Sequence, residues 1–274
     1  MDHSYGFEAY DARVMFRSND AEFLQMAVSV ARKALLGQVK THGGPYDAAF
    51  EFETTDNGYE MQRNGEHLSS GDNIELFFGY LDDIIRITVA EFSKKMVFLH
   101  AGAVAWDGKG LILPAMSHRG KSSLVLELVR AGAQYYSDDF AILDRRGRLN
   151  PFARPISMRS RDGGSMNYEI DAKEELGASI GVSAVEVGLI ALTEYKSHAR
   201  WRPRILSTGE GVLATLPFAI PLQRDPAKCL RVLNLVGSHA TLIETPRGDA
   251  KRAAMQLIDF LNKLSASDPS RPCP

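Results

Sequence analysis

Metal-ligand spacing, charge excess and long apolar runs are all absent from this sequence. Its 274 residues include two cysteines, Cys229 and Cys273, and no set of cysteines or histidines has the spacing of a metal site. Neither charge sign dominates: 32 Lys and Arg stand against 34 Asp and Glu. Such a balance gives no electrostatic reason to expect nucleic acid or an anionic membrane as a partner, so any preference for phosphate has to be local. No apolar run reaches membrane-spanning length, and the start MDHSYGFEAY lacks the basic, apolar and small-residue order of a secretory signal. The expectation is a cytoplasmic protein. Internal repeats and low-complexity stretches do not occur. With 45% apolar and 24% charged residues the chain has an ordinary globular composition, and it is long enough for one large or two modest domains.

What is present concentrates between residues 99 and 159. Residues 110–114 read as a short buried strand, residues 115–122 (AMSHRGKS) as a phosphate-binding loop with Ala115 in place of its first Gly, and residues 123–130 as a helix. That order suits an anion, because the loop N–H groups and the helix N-terminus converge on it. The residues expected to cradle phosphates are Ser117, His118, Arg119, Gly120, Lys121, Ser122 and Ser123. Lys121 would reach the β and γ phosphates and Ser122 would hold magnesium. Gly132 stops the helix, and an apolar-aromatic strand then delivers Asp138 and Asp139 at its end. Strand ends beside such a loop line the ligand crevice of an open α/β sheet, so these carboxylates face the metal and the attacking nucleophile. A solvated strand end or a helix-capping pair is the alternative for the two acids, and a core histidine bonded to backbone is the alternative for His100.

Around this core, residues 1–95 form an expected α+β unit. It has a strand at 9–16, a helix at 21–36, strands at 47–54 and 59–63, and a helix opened by Asp72 with Glu75 as capping-box partner. Residues 96–265 would carry the core domain and 266–274 a disordered tail. Within the core domain, residues 160–178 suggest a mobile loop, 185–192 and 240–244 strands, and 208–216, 226–236 and 249–264 helices. Residues 195–204 form the most basic segment, with Arg200, Arg202 and Arg204 around Trp201. These three, together with Arg154 and Arg159, are the candidate phosphate-contacting arginines.

His100-Ala101-Gly102, AMSHRGKSS, YYSDDFAILD and NPFARPISMR, in that order and at short spacings, resemble the catalytic core of the HPr kinase family and its smaller relatives, some of which act in peptide-modification clusters. The resemblance covers residues 98–159. It implies an α/β fold with a P-loop core sheet flanked by helices beside the smaller N-terminal α+β unit. The implied activity is ATP- and Mg2+-dependent phosphorylation of a hydroxyl, most simply a serine of a peptide or protein, as in the tailoring kinases of lasso-peptide clusters. By the same resemblance the catalytic residues are Asp138, which would accept the hydroxyl proton, Lys121, and His100 beside the phosphates. Ser122 and Asp139 would serve the metal. A homo-oligomer is also implied, because relatives assemble. Two departures are visible: His118 stands where many relatives have a Gly, and the downstream Gly-Arg-Asn-rich segment of true HPr kinases has no match. A nucleotide-binding module without turnover and a small-molecule kinase are the alternatives.

Overall fold

In the computed structural model, which describes residues 2–116, 120–159 and 167–266, the chain divides into two units, Met1–Met96 and Val97–Pro274.

The first unit runs β1 (His3–Ala9), β2 (Ala12–Ser18), α1 (Ala21–Ala34), β3 (Lys40–Thr41), β4 (Ala48–Thr55), β5 (Gly58–Arg63), β6 (Glu66–Gly71) and α2 (Ile74–Phe92). Its strands form one sheet in the order β3-β1-β2-β4-β5-β6. Alternate residues Val14 and Phe16 of β2, and Phe50 and Phe52 of β4, point to one face and are fully buried. Phe23 of α1 and Phe77, Leu81 and Ile85 of α2 close over them. Phe16 meets Phe50 and Phe52 edge-on, with ring centroids 5.6 and 5.1 Å apart.

Two expectations need correction in this unit, and one strand is unforeseen. The single strand at 9–16 is instead a hairpin, turned by Tyr10 and Asp11 at φ 50° and 65°. No glycine announces that turn. Helix α2 is capped by Asn73, whose side chain accepts from the Leu76 N–H at 3.0 Å, so Asp72 and Glu75 form no capping box. Strand β6, after an Asn64-Gly65 turn, has no counterpart in the sequence reading. Asp20 caps α1 by accepting from the N–H groups of Glu22 and Phe23 at 2.8 and 3.0 Å. Asp20→Ala is expected to lower stability by about 1 kcal/mol, read from the denaturation midpoint.

The second unit runs β7 (Val97–Trp106), β8 (Lys109–Pro114), α3 (Lys121–Arg130), β9 (Gln134–Ser137), β10 (Phe140–Leu143), β11 (Arg148–Asn150), β12 (Ile156–Arg159), β13 (Asn167–Ile170), β14 (Val185–Tyr195), β15 (Arg204–Ile205), α4 (Thr208–Thr215), α5 (Pro226–Gly237), β16 (Thr241–Arg247) and α6 (Ala250–Ala266). A mixed sheet orders them β11-β10-β7-β8-β14-β16-β15, with β9 paired to β7. Within it β8, β14 and β16 are parallel neighbours. The central strands alternate faces, apart from an irregularity in β14 between Val187 and Leu189. Leu111, Leu113, Leu189 and Ile243 pack under α3 and α6, while Ile112, Ile190 and Leu242 pack under α4 and α5. The result is a mixed α/β unit with helices on both faces of its sheet.

Here the sequence reading needs two adjustments. The expected loop at 160–178 is partly strand: β13 pairs antiparallel with β12, and residues 160–166 lie outside the described residues. Helix α6 continues to Ala266, and the rest of the expected tail also lies outside the described residues. No helix among the described residues is long and apolar enough to cross a membrane.

Candidate active site

The site forms where β8 ends and α3 begins. Ser117, His118 and Arg119, three of the expected phosphate-cradling residues, lie outside the described residues. Gly120 precedes α3 at φ 73°, and no side chain caps the helix. By contrast, Asp20, Asn73, Ser207 and Asp225 cap α1, α2, α4 and α5. Among the described residues no side chain thus competes with an anion for the first N–H groups of α3 as a cap would.

Lys121 is drawn back toward the sheet. Its Nζ donates to His100 Nδ1 at 3.0 Å and to the Asp139 carbonyl at 3.4 Å. Gly102 makes this approach feasible, because a Cβ there would lie 2.4 Å from Val125 Cγ2 and 3.2 Å from Lys121 Cγ. His100 Nδ1 also lies 3.0 Å from the Ala115 carbonyl. One ring nitrogen cannot accept from the ammonium and donate to the carbonyl at once. The tautomer of His100 decides which of the two contacts is the hydrogen bond.

Asp138 and Asp139 follow β9 directly, and the chain turns there, as the alternation of strand side chains requires if both are to serve one site. Asp138 is 5% exposed. Its Oδ1 accepts from the Tyr135 hydroxyl at 3.3 Å and its Oδ2 from the Ser157 N–H at 3.1 Å. Burial pushes its carboxyl above the usual range, against the opposing pull of the Ser122 hydroxyl, the Ser157 N–H, the Lys121 charge and Tyr135. The Ser122 hydroxyl is thus one of the neighbours that favour the charged form of Asp138. Asp139 is half-buried, and its carbonyl receives both Lys121 Nζ and the Ala101 N–H, the latter at 3.2 Å. The structure therefore brings His100, Lys121, Ser122, Asp138 and Asp139 to one place.

Two groups at this site escape a sequence reading. Tyr135 shares its hydroxyl proton between Asp138 and the Arg154 carbonyl, the latter at 2.7 Å. Burial raises its phenol well above the ordinary value. Arg247, at the end of β16, is 3% exposed and donates through Nη2 to the Gly120 carbonyl at 2.8 Å. Its guanidinium lies over the Tyr195 ring, 5.6 Å from the centroid, and burial pulls its pKa down. An isolated Pro-Arg-Gly after a strand carries no local signal, because its loop partner is 127 residues away. Of the candidate arginines, Arg204 pairs with Glu244 and Glu210 at 2.9 and 3.0 Å, and Arg154 contributes its carbonyl. The Arg159 side chain lies outside the described residues.

Gly120 has a double constraint: a left-handed backbone, and a would-be Cβ 2.7 Å from Arg247 Nη2. Gly120→Ala is expected to lower stability by about 1–2 kcal/mol and to weaken nucleotide binding, measured by thermal denaturation and calorimetric titration of one preparation.

For magnesium, the candidate donors are oxygens: the Ser122 hydroxyl, the buried Asp138 carboxylate and, next along the chain, Asp139. No group of three or more His, Cys, Asp or Glu among the described residues could hold a metal by itself. That composition fits Mg2+, which takes one or two carboxylates and completes its shell with phosphate and water.

A cavity of about 540 Å³ adjoins the loop on the β14 and β16 side. Its wall begins with Ala115 and Met116 and continues through Leu192, Phe218 and Pro246.

No family model and no curated protein matches this chain. Among solved structures it is similar to the HPr(Ser) kinase/phosphatase from Coxiella burnetii, at 15% identity and TM-score 0.36, over 62% of this chain and 99% of that one.

Proposed function

We propose that the second unit is a phosphotransferase that moves the γ-phosphoryl group of ATP to a hydroxyl of a peptide or protein. The observation that carries this reading is the convergence of Lys121, the uncapped start of α3 and the buried carboxyl of Asp138. Phosphoryl transfer asks little covalent chemistry of a protein and much positioning, and these are the parts it requires.

In this reading the N–H groups at the start of α3 and the Lys121 ammonium hold the phosphates. Ser122 and Asp139 hold magnesium, which neutralises charge on the phosphate oxygens when bound. Asp138 accepts the proton of the acceptor hydroxyl as its oxygen bonds to phosphorus and the bond to the ADP oxygen breaks. Its raised pKa makes it a stronger base than an exposed aspartate. Arg247 fixes the loop through the Gly120 carbonyl. Serine as the acceptor residue, and a ribosomally made lasso-type peptide as its carrier, are the finer form of this proposal, supported by the sequence resemblance alone.

The test is intact-mass measurement of candidate peptides, including any encoded beside the gene, after incubation with the protein, ATP and Mg2+. Gain of a phosphoryl group that Lys121→Ala removes supports the kinase. ATP consumption with a phosphorylated small molecule, and none on peptide, would replace the acceptor class.

A further inference from the structure

Strand order decides which side of the loop each half of a nucleotide occupies. The loop leaves β8. On one flank lie β7, which carries His100, and β9 and β10, joined by Asp138 and Asp139. On the other flank lie β14 and β16, whose ends wall the 540 Å³ cavity. The phosphoryl group being transferred is at the far end of the nucleotide from its sugar and base. With the carboxylates on the β7 flank, the nucleoside extends toward β14 and β16. We propose that this cavity is the nucleoside site, an assignment that rests on the phosphotransferase reading above.

The cavity's chemistry favours a neutral aromatic ligand over an acidic peptide. Leu192, Phe218 and Pro246 offer apolar faces on which a heterocycle can stack, and the volume lies within the ~300–1,000 Å³ of small-ligand sites. Its basic side chains are mostly neutralised in place. Lys196 pairs with Glu194 at 2.8 Å, and Arg204 pairs with Glu244 and Glu210. Only Arg202 of the three lining bases makes no ion pair among the described residues. An anionic peptide would have to break two of these pairs to gain its own. A base and ribose need only stack and find hydrogen bonds at the rim, where the Glu194 and Glu244 carboxylates can accept from an exocyclic amine or a ribose hydroxyl.

Isothermal titration of the full chain with Mg-ATP and, separately, with Mg-tripolyphosphate tests the assignment. The wild type should bind ATP at least about tenfold more tightly than tripolyphosphate, as expected for one stacked base. Phe218→Ala should bring ATP close to the tripolyphosphate value without changing the latter. Leu192→Ala serves the same comparison if Phe218→Ala does not fold. Lys121→Ala should lose both ligands. Equal wild-type affinity for ATP and tripolyphosphate would overturn the nucleoside site and leave the phosphate site standing. Binding of neither would overturn both. If the variants instead weaken a peptide acceptor and spare ATP, the cavity is the acceptor site and the proposal is wrong.

Discussion

Lys121→Ala should lower kcat/KM for phosphoryl transfer by about a hundredfold to a thousandfold, the usual consequence of removing one preorganised charge from a transition-state oxyanion. The lysine's geometry explains why the loss should be large. Its Nζ is already positioned by His100 Nδ1 and the Asp139 carbonyl, and its stem lies in the space that Gly102 leaves open. Little side-chain freedom remains to be lost when a phosphate arrives. Steady-state rates against ATP concentration provide the check, alongside a melting curve showing that the variant folds. Transfer at the wild-type rate would remove Lys121 from the machinery.

Asp138→Asn should lower kcat by about a hundredfold to ten-thousandfold while nucleotide binding persists. Its pH behaviour separates a base from a structural acid. Because burial raises this carboxyl above its ordinary 3.8, the acid limb of wild-type kcat/KM should fall at a higher pH than an exposed aspartate would give. The variant should lack that limb. Stability moves in the opposite sense. A carboxyl whose folded pKa exceeds its unfolded one contributes stability that is fully present below about 3.8 and is lost as pH rises through the folded value. The wild type should therefore gain stability relative to Asp138→Asn as pH is lowered through that window. A difference in melting temperature that is flat with pH would show that Asp138 titrates alike in both states.

The second unit was more legible in sequence than the first, for a physical reason. Asp107-Gly108, Gly120, Gly132 and Gly147 all take positive φ, and each marks a boundary in the sequence. The alternating apolar runs between them define strands on their own. The first hairpin turns on Tyr10 and Asp11 at positive φ with no glycine at the turn, so its local signal is weaker than a glycine's. In the candidate site, Lys121, Ser122, Asp138 and Asp139 lie within 19 residues of one another and share a motif. Arg247 reaches the same loop from a strand far along the chain, and only the parallel neighbours β8, β14 and β16 bring it there.

The hydrogen bond from the Ser157 N–H to Asp138 Oδ2 has a consequence beyond positioning. Ser157 belongs to β12 and sits opposite Glu169 in the β12–β13 hairpin. A backbone donor on a carboxylate holds about twice as strongly as one on the neutral acid. The hairpin is thus tethered by a bond whose strength follows the charge of a single carboxyl, and the Ser157 amide becomes a built-in reporter of it. Its proton resonance should move with pH at the same midpoint as the acid limb of activity, and in Asp138→Asn it should stand still. Watching that one amide would reveal proton transfer at the carboxyl without any substrate in the tube.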